Sequence, residues 1–142
     1  MKKTFKFDKL IRDKLHKRMV DIGIDVTLKY PLCKDELIHY FKNKVLEEAQ
    51  EVVDAQSRCD MIEELADLTE VLHAIAKIFD LTLGEIENAR KQKFAEKGGF
   101  DDGVVVDYVS LDASHEFVKY YEKYPEKYRT DSVIASNSTE GR

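Results

Sequence analysis

Lys44-Val-Leu-Glu47-Glu48-Ala-Gln-Glu51 and, beyond a break at Ser57, Glu63-Glu64-Leu-Ala-Asp67-Leu68 decide the fold. Both stretches lie in runs whose apolar residues recur at helical spacing. Ser57, with Asp60 three residues on, resembles a capping box, so the chain is expected to turn between Ser57 and Asp60 and return as an antiparallel helix. In a hairpin folded there, Glu48 is level with Asp67 and Glu51 with Glu64. Carboxylates gathered at one height repel one another unless hard cations sit between them.

A helical wheel at roughly 100° per residue separates the acids. Ile38, Phe41, Val45, Ala49 and Val52 form the apolar stripe of the first helix. On the same roughly 100° step, Glu48 lies about 60° and Glu51 about 120° from its centre, with Glu47 nearly opposite and facing solvent. On the second helix Met61, Leu65, Leu68, Leu72, Ile75 and Phe79 form the stripe. Glu64 falls inside it and Asp67 on its edge, whereas Glu63 and Glu70 point outward. An acid on an apolar face is costly unless paired or metal-bound, so Glu64 is the residue that a solvated acidic face explains worst. With Asp+Glu 28 in 142 residues, a lone ExxE would mean only such a face. Two pairs in mirrored register carry more.

Composition bounds the rest. A chain that is 43% hydrophobic suits one compact domain over residues 1–128, followed by a Ser-, Thr- and Asn-rich tail over 129–142 that is expected to be disordered. No apolar run is long enough to span a membrane, and the charged start from Met1 to Asp8 does not read as a secretory signal, which implies a cytoplasmic protein. Cys33 and Cys59 are too few for a disulfide framework and lack zinc spacing, so they are expected to be packed, reduced thiols. A net charge of -5 argues against a nucleic-acid partner. Small phosphorylated ligands need only a local basic cluster and a metal.

Outward from the hairpin, Lys9 to Leu15 opens a short helix running to Val20 and broken by Gly23. Residues 25–32 read as extended. Asp35 is the expected N-cap of a long helix through Ala55, and the return helix continues to Phe79 or Asp80. Thr82 and Glu85 cap a third helix ending near Gly98-Gly99. Val104 to Leu111 reads as a strand that pairs with residues 25–32, and a terminal helix from about Ser114 is interrupted by Pro125. The expected class is all-α: a helical hairpin and a third helix that complete a four-helix-type bundle on oligomerisation, with a minor extended or β element.

Three stretches carry a family resemblance. Glu47-Glu48-Ala-Gln-Glu51 with Glu64-Leu-Ala-Asp67 resembles the EExxE…ExxD signature of the MazG-like all-α nucleoside triphosphate pyrophosphohydrolases, which include phosphoribosyl-ATP pyrophosphohydrolase and dimeric dUTPases. Lys9-Leu-Ile-Arg12-Asp13-Lys14-Leu is similar to the "KLVRDKI" opening of one branch, and Lys97-Gly-Gly-Phe100 to its "RGGF". The resemblance spans roughly Lys9 to Leu111. It implies that Glu48, Glu51, Glu64 and Asp67 hold Mg²⁺, with Mn²⁺ as a substitute, and that a nucleotide is cleaved between its α- and β-phosphates. Glu47 would assist from outside the metal shell. Val71, Ile75 and Ile78 spread apolar surface over more of the second helix than one partner helix can cover, so a homo-oligomer, at least a dimer, is expected, in agreement with the oligomeric habit of the resembled family.

The triphosphate charge that a metal leaves unmatched calls for nearby cations. Lys44, one turn before Glu48, and Arg12 are the first candidates, followed by Lys14, Arg90, Lys93 and Lys97. Glu70-Val-Leu-His73 has the ExxH spacing of a di-iron helix, but a di-iron bundle needs two such motifs and this one lies on the outward face. His16, His39 and His115 read as surface or partly packed residues. Three functions stay open: a pyrophosphohydrolase acting on a nucleoside triphosphate, standard or not; the histidine-pathway enzyme acting on phosphoribosyl-ATP; and a non-catalytic helical interaction module.

Overall fold

The computed structural model describes residues 2–129. Its elements are all helical: α1 (Leu15–Asp21), α2 (Lys34–Asp54), α3 (Arg58–Ile78), α4 (Leu83–Lys97) and α5 (Val118–Lys123). They fall into two compact units, the first ending at Gly98 and the second beginning at Gly99. No helix is long and apolar enough to cross a membrane. The tail expected from 129 onward lies, past its first residue, outside the described residues.

The first unit is built on the α2–α3 hairpin. Its turn is fixed locally: the Asp60 N–H donates to Ser57 Oγ (3.1 Å) and the Ser57 N–H to Asp60 Oδ2 (3.2 Å), which satisfies two donors that a helix start leaves open. Thr82 and Glu85 repeat the box at α4. Helix α1 ends in a Schellman motif: Gly23, at φ +85°, donates to the Val20 carbonyl and Ile24 to Met19. Helix α3 ends in the same motif with Asp80, at φ +55°, in the glycine position; Asp80 donates to Lys77 and Leu81 to Ala76. The N-cap of α2 is Cys33 rather than Asp35, which with Glu36 sits in the first turn and faces the positive end of the helix dipole.

The seam between α2 and α3 follows a 3-4 spacing. Ile38, Phe41, Val45, Glu48 and Val52 on α2 with its C-cap Ala55, and Met61, Glu64, Leu68, Val71, Ile75 and Ile78 on α3, are all buried or half-buried. This is a two-helix heptad seam with an acid on each side, and it corrects the phase expected for α3. Leu65, Leu72 and Phe79, expected on the packed stripe, are 47%, 49% and 47% exposed. The true seam passes through Glu64, so an apolar-only stripe drifts off it. Only Val71 and Ala76 are fully buried apolar residues among those described. No other described helix pair packs as extensively as α2 on α3.

Two expectations for the flanks are corrected. Lys9 to Lys14 is not helical, and two of its side chains, Lys9 and Arg12, are engaged in tertiary ion pairs described below. Residues 25–32 are irregular, and no strand occurs among the described residues. The polar groups of this segment go to α2 instead: the Leu32 N–H donates to Glu36 Oε2 (2.8 Å), and Lys29 Nζ donates to Tyr40 Oη (2.9 Å) and pairs with Glu36. Tyr40 Oη in turn donates to Asp8 Oδ1 (2.9 Å), which holds the Asp8 carboxyl below its ordinary pKa. Cys33 and Cys59 are exposed rather than packed.

In the second unit, Val104 to Leu111 also forms no strand: Val104, Val105 and Val106 are all exposed, and no ladder partner occurs among the described residues. Asp112 accepts from the Ser114 N–H (2.8 Å) in an Asx turn, so α5 starts at Val118 instead of Ser114. It ends at Lys123, ahead of Pro125, which disfavours helical backbone at Tyr124. Tyr120, Tyr121, Tyr124 and Tyr128 pack edge-on or tilted, with Tyr121 and Tyr128 centroids 4.8 Å apart.

Candidate metal centre

Glu48, Glu51 and Glu64 each bring a carboxylate oxygen within 4.8 Å of the others. They differ in environment. Glu48, a seam residue, is only 3% exposed, Glu64 is half-buried and Glu51 is open to solvent. The wheel marks Glu64 as the most inward acid, whereas the structure buries Glu48 deepest, because its position on α2 faces the seam directly. Asp67, expected in the same cluster, is not in it and is ion-paired with Arg12.

The basic residues are distributed unevenly over these acids. Lys44 Nζ lies 2.6 Å from Glu48 Oε1 and 3.3 Å from Glu47 Oε1. Burial alone would push the Lys44 pKa down, but the Glu48 and Glu47 carboxylates outweigh it and hold it above its ordinary value. Lys9 Nζ lies 2.6 Å from Glu47 Oε1. Glu47 is therefore half-buried between two lysines, rather than solvent-facing, and these offset its desolvation and hold its pKa below the ordinary range. Among the described residues, neither Glu51 nor Glu64 has an ion-pair partner.

The cluster is thus under-neutralised. Glu51 shows the consequence: desolvation and the negative charges of Glu48, Glu64 and Glu47 together raise its pKa. A second sign is Glu48 Oε2, which is buried with no hydrogen-bond partner. Buried polar atoms are rarely left so, since each costs about 1–3 kcal/mol. An all-carboxylate donor set with one orphaned, buried oxygen fits a hard divalent cation such as Mg²⁺ or Mn²⁺.

Among the described residues, the other sequence candidates form no ion pair with this cluster. Lys14 is the exposed N-cap of α1. Arg90 makes a two-point pair with Glu87, at 2.7 and 2.9 Å, and Lys93 and Lys97 are exposed on α4. Glu70 is exposed and His73 half-buried, and neither belongs to a candidate metal cluster among the described residues. Lys9 is the residue that sequence reasoning missed. No local signal marks it, because its partner Glu47 lies 38 residues away. Comparison with protein-family models, characterised proteins and solved structures finds no match to this chain.

Proposed function

We propose that this chain is a divalent-cation-dependent nucleotide pyrophosphohydrolase of the MazG-like kind, cleaving a nucleoside triphosphate to the monophosphate and pyrophosphate. The observation that carries the reading is Glu48: a buried carboxylate with one oxygen on Lys44 and the other orphaned, in a cluster with Glu51 on the same helix and Glu64 across the hairpin. Glu48, Glu51 and Glu64, joined by Asp67, would hold Mg²⁺ or Mn²⁺. A bound Mg²⁺ supplies charge neutralisation at phosphate oxygens and an acidified water.

The chain's own residues do the rest. Lys44 balances Glu48 and Glu47 and presents a cation at the cluster's edge, suited to a phosphate oxygen. Arg12 offers a planar fork for a second one. Glu47, fixed by Lys9 and Lys44, orients water from outside the ligand set. Leu46, Val53, Leu65, Leu72 and Phe79 leave apolar surface open on the hairpin, in keeping with a cytoplasmic homo-oligomer whose second hairpin completes a four-helix core.

The pairing of Lys44 with Glu48 and Arg12 with Asp67 favours one rival, a charge-compensated helical interaction module without catalysis. Pyrophosphate release with Mg²⁺, over a panel of nucleoside triphosphates and phosphoribosyl-ATP, separates the readings. Turnover should fall by at least about 100-fold in Glu48→Gln or Glu64→Gln, since even outer-shell partners of a metal site are worth 10–100-fold. Glu70→Gln should leave turnover unchanged. Release of no pyrophosphate from any substrate leaves the module.

A further inference from the structure

Asp67 sits one helical turn beyond Glu64 on α3, close enough along the helix to share a site with it. Its carboxylate is nevertheless outside the cluster and engaged by the Arg12 guanidinium. Three residues earlier, Lys9 engages Glu47 on α2. The opening segment therefore lies across the hairpin with one cation on each helix. The Leu15 N–H donates to the Arg12 carbonyl (2.9 Å), which ties that contact to the start of α1.

We infer that Arg12 is a built-in competitor for Asp67: a positioning residue that occupies this carboxylate when no divalent ion is bound and yields it when one arrives. The inference rests on the proposed metal reading. A guanidinium and a divalent cation both take their strength from the same carboxylate charge, and sharing weakens each. The Arg12 and Asp67 side chains are 59% and 44% exposed, so the pair is weak enough to be displaced. Lys9, held at 2.6 Å by the less exposed Glu47, keeps the segment tethered to α2 after Arg12 lets go. The released guanidinium then stands beside a metal cluster with its fork empty, where an anionic phosphate group is the fitting ligand. The segment from Lys9 to Lys14 thus couples metal loading to the availability of a phosphate-binding arginine.

The test is a calorimetric Mn²⁺ titration of the full chain as wild type, Arg12→Gln, Asp67→Asn and the double variant, with helicity checked by circular dichroism. Arg12→Gln should tighten Mn²⁺ binding by about fivefold, the upper range for an exposed ion pair, and should have no effect in the Asp67→Asn background. Equal or weaker Mn²⁺ binding by Arg12→Gln overturns the inference and leaves the metal reading standing. No Mn²⁺ binding by the wild type overturns both. Hydrogen exchange on the unmodified chain gives a second measurement that does not depend on a variant folding. Saturating Mg²⁺ should speed exchange over residues 9–15 while slowing it in α2 and α3, and slower exchange over 9–15 overturns the inference.

Discussion

Lys44 Nζ lies 2.6 Å from Glu48 Oε1, while the other oxygen of the same buried carboxylate accepts no hydrogen bond. One half of the carboxylate charge is met by Lys44 and the other half has no partner among the described residues. Burying a carboxylate in a heptad seam is costly. The hairpin is consequently less stable than its apolar seam alone would make it, and a cation that binds only the folded state must recover part of that cost.

Lys44→Met should expose this balance. Lys44 and Glu48 side chains are 18% and 4% exposed, and removing one partner of such a pair leaves an uncompensated buried charge, a loss of about 3 kcal/mol. Urea denaturation without divalent ions should show that loss. Saturating Mg²⁺ should then stabilise Lys44→Met by more than it stabilises the wild type. An equal Mg²⁺ increment in both would mean that the ion does not meet Glu48.

Asp80→Gly should stabilise the first unit by about 1 kcal/mol, because an L-residue in the left-handed region costs roughly 1–2 kcal/mol and glycine does not bear it. Asp80, at φ +55°, occupies the position in its Schellman motif that Gly23 occupies at the end of α1. The reciprocal change, Gly23→Ala, should destabilise by a similar amount. Urea midpoints of the two variants, at unchanged m, check both signs.

Acid should loosen α4 through Glu85. The Thr82 N–H, and then the Thr82 hydroxyl, hold the Glu85 carboxyl below its ordinary value of 4.5. A carboxylate with a depressed folded pKa adds stability that is fully present above that ordinary value and lost as pH falls through the depressed one. Carbon-detected NMR should therefore place the Glu85 midpoint below 4.5, with α4 amides shifting in the same window. In Glu85→Gln those shifts should vanish. A Glu85 midpoint at or above the ordinary value would show that the capping box does not hold in solution.

How much was legible in the sequence followed the range of the interaction. The boxes at Ser57 and Thr82 and the stop at Gly23 depend on neighbours within four residues, and all three stand where the sequence places them. The hairpin itself was legible for the same reason. The phase of α3 was not: Leu65, Leu72 and Phe79 recur every seventh residue as regularly as the true seam does, and nothing local says which of two apolar faces meets α2. The seam that forms accepts Glu48 and Glu64, the residues an apolar criterion discards. Lys9 to Lys14 misled in another way. Its residues suit a helix, but Lys9 and Arg12 reach Glu47 and Asp67, 38 and 55 residues away, and contacts at that range leave no local pattern. Asp67's place outside the cluster follows from the same contact.

The face that misled the reading of α3 supports the final prediction, a homo-oligomer. Leu65, Leu72 and Phe79 lie seven residues apart along α3, and Leu46 and Val53, 70% and 75% exposed, keep the same interval on α2. Residues at heptad spacing form a continuous strip along a helix, and strips of this kind are ordinarily covered. With only Val71 and Ala76 as fully buried apolar residues among those described, the isolated hairpin has little core of its own. A second copy related by a two-fold axis would lay the same strip against itself, the commonest closed arrangement. Light scattering of the wild type at micromolar concentration should give a dimer mass or larger. Leu65→Glu/Leu72→Glu should shift it to the monomer and lower the melting temperature, since each leucine that loses its cover forfeits about 2 kcal/mol. A monomeric wild type, or a double variant with unchanged mass, would assign that strip no partner of its own kind.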